Sequence, residues 1–237
     1  MNRNVTSLVV AAALAALPPT IHAWNILVDP RFEHQTTPER GGWILFGGAF
    51  STSQARSGRW SMQDQFCGIF GVAGSYEQFP AAPGSRWRLT GYGLVPAGLV
   101  GDPGAMFGII QVTFFDALGH DLGTVETRGA PFPAKTSAHV DATTPPAQWM
   151  FLDTDPVTAP EGTAYVQAFT LWLDFTGQGL CRGASFDDLR LDVLGMDRDR
   201  YVDSIERNAL TLRQAGILTR AQAAAMAEAA EQAAEGE

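Results

Sequence analysis

The sequence predicts an all-β chain: a jelly-roll β-sandwich followed by a short C-terminal helical hairpin. Three observations carry that prediction. Glycine and proline are abundant, at 25 and 14 of 237 residues, while only 17% of residues are charged. Such a balance suits many short strands joined by tight turns. Apolar runs lie between turn signals along residues 24–195, without helical periodicity. The composition then changes: Met196 to Glu237 is polar, Ala-rich and free of proline.

The elements follow in order. Met1-Asn2-Arg3-Asn4, an apolar run from Val5 to Leu17 and a boundary ending in Ala23 predict a secretory signal peptide over 1–23. The apolar run is too short to span a membrane, so the mature chain would begin at Trp24 and be secreted or periplasmic. Residues 24–35 read as a first strand ending in a turn. Gly41 to Gly48 is a short apolar strand bounded by glycines, and Gln54 to Met62 a turn running into a strand. Tyr76 to Phe79 leads into the turn Pro80-Ala81-Ala82-Pro83-Gly84. In the next strand Trp87 and Leu89 share one side, while Arg88, Thr90 and Tyr92 share the other. Met106 to Phe115 is the longest strand signal, apolar on both faces. A hairpin turn at Asp116 to Gly119 leads into Leu122 to Val125. Residues 129–148 read as a long loop with one strand near Ser137 to Val140. Strands follow at Trp149 to Leu152, at Thr163 to Phe175 and, after a Gly-rich loop, at Phe186 to Leu194.

In the tail, Val202, Ile205, Ala209 and Leu212 recur at helical spacing, and Ala215-Gly216 breaks the pattern. Thr219 can cap a second helix. Residues 196–237 therefore form a helical hairpin, used either for self-association and partner contacts or for packing on its own sandwich.

Charge and cysteine usage narrow the chemistry. A net charge of -9, with Lys135 the only lysine, argues against nucleic acid, whose phosphates call for clustered basic residues. Cys67 and Cys181 permit one disulfide in an exported chain, or two free buried thiols; their separation does not suit a metal site. Phosphate-binding loops, His-Glu-x-x-His and Gly-x-Ser-x-Gly are absent. His34, His120 and His139 sit in turns or loops and form no cluster in the sequence. The sequence reads as non-catalytic.

Several motifs, in their order and spacing, carry a resemblance over residues 24–194. They are Asn25-Ile26-Leu27-Val28-Asp29-Pro30-x-Phe32-Glu33, Trp43, Ala55-x-Ser57-Gly58-x-x-Ser61 and Tyr76-Glu77-x-Phe79 ahead of Pro83-Gly84. Val112-x-Phe114-x-Asp116-x-x-Gly119, Trp149, Ala159-Pro160-x-Gly162-Thr163-Ala164 and Phe186-Asp187-Asp188-Leu189 complete the set. Together they resemble carbohydrate-binding modules of the family 4, 9 and 22 type, which are galactose-binding-like β-sandwiches.

The resemblance implies a glycan or polysaccharide partner. It also implies a structural calcium ion tying the first strand to the last through Glu33 and Asp187. Asp187, Leu189, Leu191 and Val193 alternate onto one strand face, which would aim Asp187 at the core, and an inward carboxylate needs a partner or a metal. Hydrogen bonds to backbone or to Arg31 are the alternative. Sugar binding uses aromatic rings with amides, so the candidates are Tyr92, Gln111 and Trp172 on a sheet face and Trp60 beside a loop. Trp43, Trp87 and Trp149 fit the core better. The face taken by Trp172 stays open, since Tyr165, Gln167, Phe169 and Leu171 take the other side of its strand. A second reading makes the sandwich a scaffold in an extracellular assembly, with the helices as contacts.

Overall fold

The structure, a computed structural model, describes residues 23–34, 42–99, 101–102, 104–122 and 135–235. The expected signal segment up to residue 22 and most of the expected strand Leu122 to Val125 lie outside the described residues.

In chain order the strands are β1 (Ala23–Asn25), β2 (Ile44–Phe46), β3 (Ala49–Thr52), β4 (Ser61–Cys67), β5 (Gly71–Pro80), β6 (Arg86–Leu94), β7 (Met106–Phe115), β8 (Lys135–Thr136), β9 (Val140–Asp141), β10 (Met150–Asp153), β11 (Val157–Thr158), β12 (Tyr165–Asp174) and β13 (Cys181–Leu194). Helices α1 (Arg198–Gln214) and α2 (Arg220–Glu235) follow. The strands form two antiparallel sheets, as expected. The larger runs β10-β6-β13-β4-β3, with β1 on β13 and β11 on β6; the smaller runs β2-β5-β12-β7-β8, with β9 on β7.

Alternation sorts each strand's residues between the core and an outer face. On β7, Met106, Ile110, Val112 and Phe114 are buried in the main core, and on β12 so are Val166, Ala168 and Trp172. Phe107, Ile109, Leu171 and Leu173 form a second, smaller cluster. They take the other side of the same strands, which is the outer face of the smaller sheet.

The two ends of the sandwich meet as the motifs suggested. Ala23 pairs with Leu194, Trp24 with Val193 and Asn25 with Asp192. The Asn25 carboxamide oxygen accepts from the Leu191 amide at 2.9 Å, and the Leu189 amide donates to the Pro30 carbonyl at 2.8 Å. At the opposite end of β13, Cys181 pairs with Cys67 of β4, and the two form a disulfide.

The tail packs on its own sandwich. Asp197 caps α1 by accepting from the Arg200 amide, and Thr219 and Gln222 exchange hydrogen bonds at the start of α2 in a capping box. Tyr201 of α1 is fully buried, 5.5 Å from the Trp24 ring and 6.1 Å from the Trp87 ring. Its hydroxyl donates to the Pro80 carbonyl at 2.8 Å. Asn208 donates to the carbonyls of Ala81 and Thr163. Among the described residues no helix is long and apolar enough to cross a membrane.

Candidate functional site on the smaller sheet

The outer face of the smaller sheet gathers aromatic rings and amides. The register sets Tyr76 of β5 opposite Phe169 of β12, and Phe169 opposite Gln111 of β7. Directly opposed side chains touch, and here the Tyr76 and Phe169 rings stand 5.3 Å apart. The Phe46 ring of β2 continues the row at 6.4 Å from Tyr76. Gly74 makes room for it: a Cβ there would lie 2.9 Å from the Phe46 ring and 2.3 Å from the Thr170 carbonyl oxygen. All three rings are half-buried, so each keeps surface for a ligand.

Amides flank the row. The Gln167 carboxamide donates to Gln78 at 2.8 Å, and that of Gln111 donates to the Thr113 hydroxyl at 2.9 Å. Each carboxamide has further donor and acceptor capacity beyond these bonds. Farther along the face, His139 stacks flat on Phe107 with centroids 3.9 Å apart. Burial holds its imidazole below the usual histidine range, so the ring is neutral at neutral pH.

Of the four expected sugar-contacting residues, only Gln111 lies on this face. Trp172 is a correction: it is fully buried in the main core. Its cross-strand partners are the small residues Ala73 and Gly108, and it shares the core-facing side of β12 with Val166 and Ala168. Tyr92 lies on the outer face of the larger sheet. There the Arg56 guanidinium sits 3.5 Å over its ring, and the Phe151 ring meets it at 5.4 Å. Trp60 is half-buried in the turn before β4. Tyr92 and Gln111 therefore lie on opposite sides of the sandwich and cannot share a site. The sequence reading missed Phe46, Tyr76 and Phe169 as candidate residues. Tyr76 could have been found from its register with Phe169, but not from its own strand alone.

Glu33 and Asp187 do come close to one element, the turn before β4. The Glu33 carboxylate accepts from the amides of Arg59 at 2.8 Å and Trp60 at 3.1 Å. Asp187 accepts from the amides of Arg56 at 2.7 Å, Ser57 at 3.0 Å and Asp188 at 2.7 Å.

The expectation that Asp187 shares a face with Leu189 needs correcting. The pairing of β13 with β6 shifts register between Asp187 and Arg190, and Asp188 takes φ 49°. This bulge inserts one residue. Phe186 and Leu189 both stay in the core, while Asp187 turns to the outer face and is buried beneath the turn. Burial, partly offset by the three amide bonds, pushes its carboxyl up to about 6.

The chain's own groups hold both carboxylates: both Asp187 oxygens and one Glu33 oxygen accept backbone N–H groups. The Arg56 and Arg31 guanidinium groups sit on Asp188 next door. Among the described residues no three His, Cys, Asp or Glu side chains gather as a metal site.

No family model matches the sequence, and no curated protein matches it. Solved structures do resemble it in fold. The CBM22-1 xylan-binding domain from Paenibacillus barcinonensis Xyn10C is 16% identical, with TM-score 0.45, over 72% of this chain and 96% of that one. TmCBM61 in complex with beta-1,4-galactotriose is 14% identical, with TM-score 0.41, over 70% of this chain and 97% of that one. The enzymatically active domain of bacteriophage CBA120 tailspike protein 4 is 10% identical, with TM-score 0.48 over 72% of this chain, which spans 21% of its length.

Proposed function

We propose that this chain is an exported carbohydrate-binding β-sandwich that holds a glycan without transforming it. The observation that carries the reading is the Phe46–Tyr76–Phe169 row flanked by the carboxamides of Gln78, Gln111 and Gln167. A sugar ring offers an apolar C–H face to an aromatic ring and hydroxyls to amide donors and acceptors. No charged side chain belongs to that row, which suits a neutral polysaccharide. The Cys67–Cys181 disulfide supports an oxidising, extracytoplasmic setting.

A glycan array, followed by pull-down on insoluble polysaccharide, tests the reading. Tyr76→Ala and Phe169→Ala should each weaken binding by about tenfold or more, whereas Tyr92→Ala, on the other side of the sandwich, should leave it unchanged. Failure of the unaltered chain to bind any glycan would overturn the proposal.

A further inference from the structure

The other side of the sandwich holds a groove of about 350 Å³ beside the disulfide, on the outer face of the larger sheet. Its floor is built by strand register. On β4, Gln63 and Gln65 stand at alternate positions and point outwards, because Met62 and Asp64 between and beside them turn inwards and are buried. Opposite Gln65 on β13 is Gly183. A Cβ at Gly183 would lie 2.3 Å from the Asp64 carbonyl oxygen, so the backbone approach excludes a side chain and keeps the floor open. The 96–99 loop with Leu99 forms one wall, and Leu180, 47% exposed, forms the other. Opposite Gln63 on β3 stands Phe50, 41% exposed, on the same face of the sheet.

The two carboxamides are available and neutral. The side chains of Gln63 and Gln65 make no hydrogen bond among the described residues, so each offers an oxygen acceptor and an amide donor. Arg182 also lines the groove, but its guanidinium is directed to the Gln178 carboxamide at 2.9 Å and to the Met106 sulfur at 3.3 Å. The lining thus pairs two free carboxamides with Leu99 and Leu180, and its guanidinium, Arg182, is held by neutral partners. That chemistry fits a hydroxyl-bearing ring with an apolar face.

We propose that this groove is a second sugar-binding site, independent of the aromatic row on the smaller sheet. Stacked sheets lie about 10 Å apart, so the two sites face away from each other and one chain can engage two glycan strands at once. Two engaged sites would raise avidity on a polysaccharide surface without any new contact.

The test is an NMR titration of the full chain, ¹⁵N-labelled, with three neutral probes: xylohexaose, cellohexaose and β-1,4-galactotriose. Tyr76→Ala is used to silence the first face. In that variant the side-chain amides of Gln63 and Gln65 and the backbone amides of Leu99 and Gly183 should still shift on titration. Gln63→Ala with Gln65→Ala should weaken this response by about tenfold, while the well-dispersed remainder of the spectrum shows that the fold is intact. Shifts confined to the Tyr76–Phe169 face overturn the second site and leave the first standing. Absence of shifts on either face with all three probes overturns the second site, while the glycan array decides the first.

Discussion

Trp172 shows how the side of the sheet that a strand turns to the core decides what an aromatic does. In sequence it stands beside Leu171 and Leu173, and either alternation is admissible. In the fold it faces Gly108 and is wholly buried, while its Nε1 finds no hydrogen-bond partner among the described residues. The indole therefore contributes volume and area rather than a polar contact. Trp172→Ala should cost about 3–5 kcal/mol through the cavity it leaves. Trp172→Phe should cost less, about 1–2 kcal/mol, because no hydrogen bond is lost. Urea unfolding of the two variants checks this, and equal losses would contradict it. Asp187 makes the same point with the backbone: one residue in the left-handed region, Asp188, moves a carboxylate from the core side to the outer face.

At the scale of elements, the turn before β4 is a clasp between the chain's two ends. Glu33, next to the first strand, holds the turn at Arg59 and Trp60; Asp187, in the last strand, holds it at Arg56 and Ser57. The amides of the turn supply the positive partner that a metal would otherwise supply, so the joint closes with the chain's own groups. A chelator should accordingly leave the melting temperature unmoved, and added calcium should not raise it; a chelator-induced fall would show a metal at work. Asp187→Ala, by contrast, leaves three amides without their acceptor and should cost about 2–4 kcal/mol, measured by the same melting curves. The helical hairpin is a second element whose role came from packing. Its apolar spacing was plain in Ile205, Ala209 and Leu212. Only the fold showed that Tyr201 fills the space between Trp24 and Trp87 and caps the end of the sandwich.

For the whole molecule, buried carboxyls set the pH response. Glu77 accepts from the amides of Val28 and Asp29, yet burial dominates and pushes its carboxyl from 4.5 to about 8. Asp64, also buried, is raised in the same direction by desolvation. A carboxyl raised in the folded state keeps its proton there more tightly than in the unfolded chain. The contribution of Glu77 is complete below its unfolded value, about 4.3, and is lost as pH climbs through about 8. Asp153, lowered chiefly by its bond to Arg88, acts in the opposite sense but only below the ordinary carboxylate range. The melting temperature should therefore be higher at pH 5 than at pH 9 at fixed ionic strength, and Glu77→Gln should flatten the difference. The disulfide acts on the same global scale. It links residues 114 apart in sequence, so Cys67→Ser with Cys181→Ser should lower stability by about 4–5 kcal/mol in the chain-entropy model, read by denaturant unfolding.

The family resemblance suggested that the first and last strands meet. What the sequence determined by itself is the β-sandwich class and the helical hairpin after it. Those follow from local periodicity, turn residues and caps, which each segment carries within a few neighbours. It also placed Trp43 and Trp87 in the core, and it set Phe169 on the side of β12 opposite Trp172. What only the tertiary structure decided is which strand faces share a surface. The pairing of β2, β5, β12 and β7 assembles Phe46, Tyr76, Phe169 and Gln111. The pairing of β3, β4 and β13 assembles Phe50, Gln63 and Gln65 on the other side. A binding face is a property of several strands in register, and register between distant strands is fixed by long-range packing and bulges, which no single segment encodes.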